Sequence, residues 1–124
     1  MIDTADIDDW LARYQQAWRS DDPAQIAGLF TDKARYFTAP WREPMVGAQA
    51  IADWWRAMGE SRLPWSCDFQ VIARNDDLSV VRATTRYPEG TDGEPGPITF
   101  SNLWLVTLSG DRAREFVEYF MQVE

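Results

Sequence analysis

The sequence predicts an α+β domain in which three N-terminal helices pack on a curved, mainly antiparallel sheet. Three observations carry this. From Ala5 to Arg19, Ile7, Trp10, Leu11, Tyr14, Ala17 and Trp18 recur at three- and four-residue spacing, the period of a helix with one apolar face. Beyond Ser66 the chain divides into four strand-length segments, about Ser66–Arg74, Leu78–Tyr87, Ile98–Leu108 and Arg112–Met121. Between them, Asn75-Asp76-Asp77 and Ser109-Gly110-Asp111 are tight-turn chemistry, so neighbouring strands should form antiparallel hairpins.

In chain order, the first helix carries Asp6, Asp8 and Asp9 in its opening turn, where the helix dipole favours negative charge. A second, short helix restarts with Asp22 as N-cap, Pro23 at the first helical position and Gln25 completing a capping box; it buries Ile26, Leu29 and Phe30. Lys33 to Thr38 reads as a short strand ended by Pro40 and Pro44. Gly47 then opens a third helix with Ile51, Trp54, Trp55 and Met58 on one side. The connection Pro88 to Pro97 packs three glycines and three prolines into ten residues, as a plain solvent loop or a mobile lip over a pocket would.

At 124 residues, 45% hydrophobic and without a linker or repeat, the chain makes one domain spanning residues 1–124. Its seven tryptophans belong in a core, a pocket wall or an interface. A net charge of −8 offers no cationic footprint for nucleic acid or for an anionic membrane surface. With no apolar run of membrane-spanning length and no secretory pattern, a cytoplasmic protein is the expectation. The absence of histidine excludes Ser-His-Asp and Cys-His machinery and every histidine metal site, and no cofactor motif is present. Acid–base chemistry must therefore come from carboxylate, tyrosine, lysine, cysteine or water. The single cysteine, Cys67, reads as a small buried hydrophobe.

The stretches YQQAWRSDDPAQIAGLFTDKARY, APWREPMVGAQAIADWW, SNLWLVTL and AREFVEYFM cover nearly the whole chain. In this order they resemble the nuclear transport factor 2-like superfamily and, within it, the SnoaL-like proteins. The resemblance implies a cone-shaped fold with an interior pocket, but no single reaction. Against ketosteroid isomerase, Tyr14 falls where that enzyme keeps its oxyanion-hole tyrosine. The base aspartate, however, falls on Thr38, and the protonated aspartic acid near Trp104, or on Asn102 with a shifted hairpin register. Two supporting tyrosines fall on Phe30 and Trp55. Steroid isomerisation by that mechanism is not expected.

The same resemblance turns Phe116, Glu118 and Phe120 inward on the last strand, which sets Glu118 among aromatic rings. There desolvation favours the protonated carboxyl unless a cation is near. Strand alternation groups Val80 with Arg82, Thr84 and Arg86, offering Arg82 as that cation, and groups Phe100, Asn102, Trp104 and Val106. The expected site is therefore Glu118 as acid or base, with Tyr14 and Asn102 as polarising donors. Trp18, Tyr36, Thr38, Trp55 (or Trp54 beside it), Arg82, Trp104, Phe116 and Phe120 complete the expected ligand pocket. Trp41 and Glu43, in the proline elbow, are placed at its mouth or packed on a neighbour. Two functional classes follow: a cofactor-independent isomerase, cyclase or hydratase acting on a small apolar, carbonyl-bearing molecule, or a protein that binds such a molecule or serves as a dimeric scaffold with a plugged cone. Many relatives dimerise through the outer sheet face, and here Leu103, Leu105, Val117, Tyr119 and Met121 make that face apolar enough to expect a homodimer.

Overall fold

A computed structural model describes residues 4–20, 22–58, 64–91 and 93–124. Helix α1 (Ala5–Ser20) buries the six residues its periodicity marks, Ile7, Trp10, Leu11, Tyr14, Ala17 and Trp18. Its start is tied to the sheet by Arg74, which pairs with Asp6 and holds that carboxyl below its ordinary value, chiefly through the hydrogen bonds. Trp10 Nε1 donates to the Leu29 carbonyl at 2.9 Å, fixing α1 against the chain that enters the sheet.

Helix α2 (Pro23–Ala27) is a single turn, so only two of the three helices are long. Asp22 caps it by accepting from the Ala24 N–H at 2.9 Å. The expected capping box does not close. The Asp22 N–H donates instead to Ser20 Oγ at 3.1 Å, so the donor that Gln25 would have satisfied is already taken. Strand β1 (Phe30–Phe37) begins three residues earlier than the periodicity suggests, because Phe30 already pairs with the last strand. A two-residue strand, β2 (Met45–Val46), follows, and Gly47, with φ of +103°, turns the chain into α3 (Ala48–Met58). Helix α3 buries Ile51, Ala52 and Trp55 and half-buries Trp54, while Met58 stays exposed.

The long strands are β3 (Ser66–Asn75), β4 (Leu78–Tyr87), β7 (Ile98–Ser109) and β8 (Arg112–Gln122), close to the expected bounds. In the β4–β7 connection a miniature hairpin pairs β5 (Gly90–Thr91) with β6 (Glu94–Pro95). The six-stranded sheet runs β2-β1-β8-β7-β4-β3. Only β1 against β8 is parallel, which lets the N-terminal half return beside the last strand. Asp76 (φ 53°) and Gly110 (φ 66°) sit in the two tight turns.

Helices α1 and α3 pack on this sheet through an aromatic layer that forms the core. Tyr14 of α1 has ring neighbours in Trp55 of α3, Phe69 of β3, Trp104 of β7 and Phe116 of β8. Phe116 is held between two tyrosines, its ring 7° from parallel with Tyr36 and 10° with Tyr14. Among the described residues no helix is long and apolar enough to cross a membrane.

Candidate functional site

Cross-strand register decides which side chains look toward the helices. On β7 and β8 it turns Asn102, Trp104, Val106 and Phe116 into the buried set, with Glu118 opposite Trp104 and Phe120 opposite Asn102. On β4 the buried set is Val81, Ala83, Thr85 and Tyr87. This corrects the expected phase by one residue. Arg82 lies on the outer face, exposed, and donates to Gln70 Oε1 at 2.6 Å. The anticipated Arg82–Glu118 ion pair is therefore not formed. The reason is that residues i and i+1 of a strand look to opposite faces, and Val81 pairs with Trp104 while Arg82 pairs with outward Leu103.

Between helices and sheet lies a cavity of about 250 Å³. Eight of the expected site residues line it: Tyr14, Trp18, Tyr36, Thr38, Trp55, Asn102, Glu118 and Phe120. Three expected residues do not: outward Arg82, and two wall residues. Trp104 and Phe116 are buried at 1% and 0% exposure and pack against Tyr14 instead, filling the space that would have deepened the pocket. Phe120 sits at the rim, with more than half its surface in solvent. At the same rim are Met58 from the end of α3 and Arg42 from the proline elbow. Trp41 and Glu43, expected at the mouth, do not line the cavity; Trp41 projects outward, its ring under the Arg42 guanidinium. Among the described residues from Pro88 to Pro97 none lines this cavity. The β5–β6 hairpin is tied to the end of β8 by Gln122 Nε2 donating to Glu94 Oε1.

The polar wall runs across four strands. Cys67 Sγ lies 3.5 Å from Thr85 Oγ1; Thr85 Oγ1 donates to Asn102 Oδ1 at 3.1 Å; Asn102 Nδ2 donates to Glu118 Oε1 at 3.4 Å. On the helix side, the Tyr14 hydroxyl shares a hydrogen bond with Tyr36. Desolvation first, then the nearby Tyr36, Glu118 and Cys67, push the Tyr14 phenol well above its ordinary value. Tyr14 is therefore a proton-bearing donor throughout the working pH range. Burial likewise pushes the Cys67 thiol up to about 11. Among the described residues no three metal-ligating side chains converge.

Sequence reasoning missed Thr85, Tyr87, Arg42 and Met58 as lining residues, while Phe100 of the expected inward set and both Trp54 and Trp55, weighed as alternatives, line the cavity. One signal was available for the first two: Arg82 and Arg86 share a face of β4, which marks that face as the solvated one and Thr85 and Tyr87 as inward.

An α+β domain whose helices and mixed sheet enclose an aromatic-walled cavity, with a carboxylate and an amide in its polar wall, is the class that fold and site define. The chain belongs to the SnoaL-like domain family, whose pattern matches residues 11–116. Solved structures share the fold. A protein with a cystatin-like fold from Methylobium petroleophilum PM1 superposes with a TM-score of 0.74 at 16% identity, over 99% of this chain and 80% of its own. SalBIII, an epoxide hydrolase/cyclase-like enzyme of pyran ring formation in the polyether salinomycin, gives 0.73 at 13%, over 92% and 89%. A ketosteroid isomerase-like protein from Erwinia carotovora atroseptica gives 0.68 at 20%, over 94% and 95%. No curated protein matches the chain.

Proposed function

We propose that the cavity is the functional site and that it takes a small, largely apolar, carbonyl-bearing molecule. Glu118 accepts or delivers a proton, Tyr14 and Asn102 supply the polarising N–H and O–H, and no cofactor takes part, as in an isomerase, cyclase or hydratase. The observation that carries this reading is the meeting of Tyr14, Asn102 and Glu118 around one aromatic-walled space of about 250 Å³. That volume lies just below the usual range of about 300–1,000 Å³ for such sites, so the ligand is small. The cyclase-like chemistry named for SalBIII adds support, since that enzyme shares the fold.

A second reading, binding without turnover, is favoured by a different observation. The Asn102 amide is engaged at both ends, by Thr85 and by Glu118, as a structural amide would be. One experiment separates the two. Small cyclic ketones are incubated with the protein in D2O, exchange of their α-protons is followed by NMR, and binding is followed by tryptophan fluorescence. Catalysis predicts saturable exchange that falls by roughly 100-fold or more in Glu118→Gln. Saturable quenching without exchange supports binding alone. Neither signal would remove the cavity as a ligand site.

For the outer face, the homodimer is supported by exposed Tyr119 and Met121 beside half-buried Leu103, Leu105 and Val117. Sedimentation equilibrium tests it, and a monomer at tens of micromolar would reject it.

A further inference from the structure

We propose that Thr85 is a positioning residue: it fixes the Asn102 amide so that Nδ2, and not Oδ1, is the atom turned to Glu118. The inference rests on reading Asn102 and Glu118 as the polar centre of the site. A primary amide is nearly symmetric in shape but not in chemistry. Half a turn of its last bond replaces a double donor by an acceptor, so some partner must choose between the two orientations.

Glu118 is one such partner when ionised, but a protonated carboxyl can donate as well and would tolerate either end of the amide. Thr85 weights the choice whatever the state of that proton: its hydroxyl gives its own proton to Oδ1, and turning the amide round would hand that proton to Cys67 Sγ, a weak acceptor. Thr85 Oγ1 lies 3.1 Å from Asn102 Oδ1 in the buried layer between β4 and β7. A hydroxyl has a single proton. Once that proton is given to Oδ1, the 3.5 Å contact with Cys67 can only have the thiol as donor. The chain then has one sense across three strand pairs: thiol to hydroxyl, hydroxyl to amide oxygen, amide nitrogen to Glu118 Oε1. Burial of Cys67 keeps the thiol proton this arrangement needs.

The consequence for ligands is specific. At Asn102 the site offers N–H and withholds the amide oxygen, so a ligand's carbonyl, ether or epoxide oxygen is matched there and its N–H or O–H is not. Other titratable or charged groups around Glu118 are Tyr14 from α1, Tyr36 from β1, Arg42 from the elbow, Cys67 from β3 and Tyr87 from β4. Substituting Thr85 leaves all of them in place.

The test titrates the Glu118 carboxyl by ¹³C NMR, assigned with Glu118→Gln, in the wild type and in Thr85→Val and Thr85→Ser. Thr85→Val should raise the apparent Glu118 pKa by about 0.5–1 unit, part of the roughly 1–2 units that a hydrogen bond to a charged group represents. It should also shift the Asn102 side-chain NH₂ resonances, and Thr85→Ser should restore both. An unshifted Glu118 titration in Thr85→Val with native near-ultraviolet circular dichroism would overturn the proposal, as would Thr85→Ser behaving like Thr85→Val. Should Thr85→Val fail to fold, the wild type decides alone. Nuclear Overhauser effects from the Asn102 NH₂ protons should reach the Glu118 methylenes, and effects to the Thr85 methyl alone would overturn the orientation. None of these measurements uses a ligand or turnover, so a failed ketone experiment with a positive titration indicts the proposed function and spares the orientation.

Discussion

Removing one oxygen atom tests the centre of the aromatic layer. In Tyr14→Phe the ring keeps its contacts with Trp10, Trp18, Trp55, Trp104 and Phe116, and only the hydrogen bond with Tyr36 is lost. A hydrogen bond of this kind is worth about 1 kcal/mol net. For 124 residues the unfolding entropy is about 0.26 kcal/mol/K, so the midpoint should fall by about 4 °C at pH 8. The pH dependence is the sharper part. In the unfolded chain the phenol titrates near its ordinary 10.0, whereas in the folded protein it is held well above that, mainly by desolvation. Tyr14's contribution is therefore complete below pH 10 and is lost as pH rises beyond it. At pH 11 the ionisation of Tyr14 in the unfolded chain removes about 1.4 kcal/mol from the wild type, a loss that Tyr14→Phe does not share. The variant, weaker at pH 8, should equal or exceed the wild type at pH 11. Urea unfolding at both pH values measures the difference, in which the other tyrosines and Cys67 cancel because both proteins carry them. A penalty that stays constant from pH 8 to pH 11 would mean that Tyr14 titrates in the folded state as it does in water, and would refute the buried, hydrogen-bonded phenol.

Cys67 should resist iodoacetamide at pH 8 in the folded protein and react at the rate of unfolding. Its thiol is 7% exposed and is pushed up to about 11, so a rate equal to that of a free thiol would contradict the burial. The thiol's share of stability is complete below its ordinary 9.0 and is lost as pH rises through about 11. Gly47→Ala should cost about 1–3 kcal/mol, because φ is +103° and the added Cβ would lie 3.3 Å from the Asp32 carbonyl; a midpoint within a degree of wild type would rule out the strain.

The elements that local chemistry controls were legible in the sequence. The periodicity of α1, the Asp22–Pro23 start of α2, the positive-φ Gly47 and the two tight turns each depend on residues within a few positions of one another. The bounds of the four long strands follow for the same reason. What escaped depended on residues far apart. Strand β2 is two residues long and exists only because β1 lies beside it. The closing of a capping box at Gln25 was decided by Ser20, whose hydroxyl reached the donor first.

The candidate site divides in the same way. The resemblance marked Tyr14, Asn102 and Glu118, since the chain holds twenty acidic residues and four tyrosines and residue type alone would single out none of them. The phase of β4 was marked by type only through Arg82 and Arg86, since Val80-Val81 and Thr84-Thr85 put matched residues on both faces. Pairing with β7 settled it, turning Thr85 inward and Arg82 outward, and with that exchanged the expected ion pair for a hydroxyl–amide–carboxylate chain. Packing likewise decided that Phe116, stacked between Tyr14 and Tyr36, is core and not pocket wall. The sequence by itself determined an α+β domain, its aromatic layer and the side chains able to do chemistry, because those depend on periodicity and residue type. Only the tertiary structure decided which of them meet, because a strand's two faces differ by a single residue of register and that register is set by its neighbours.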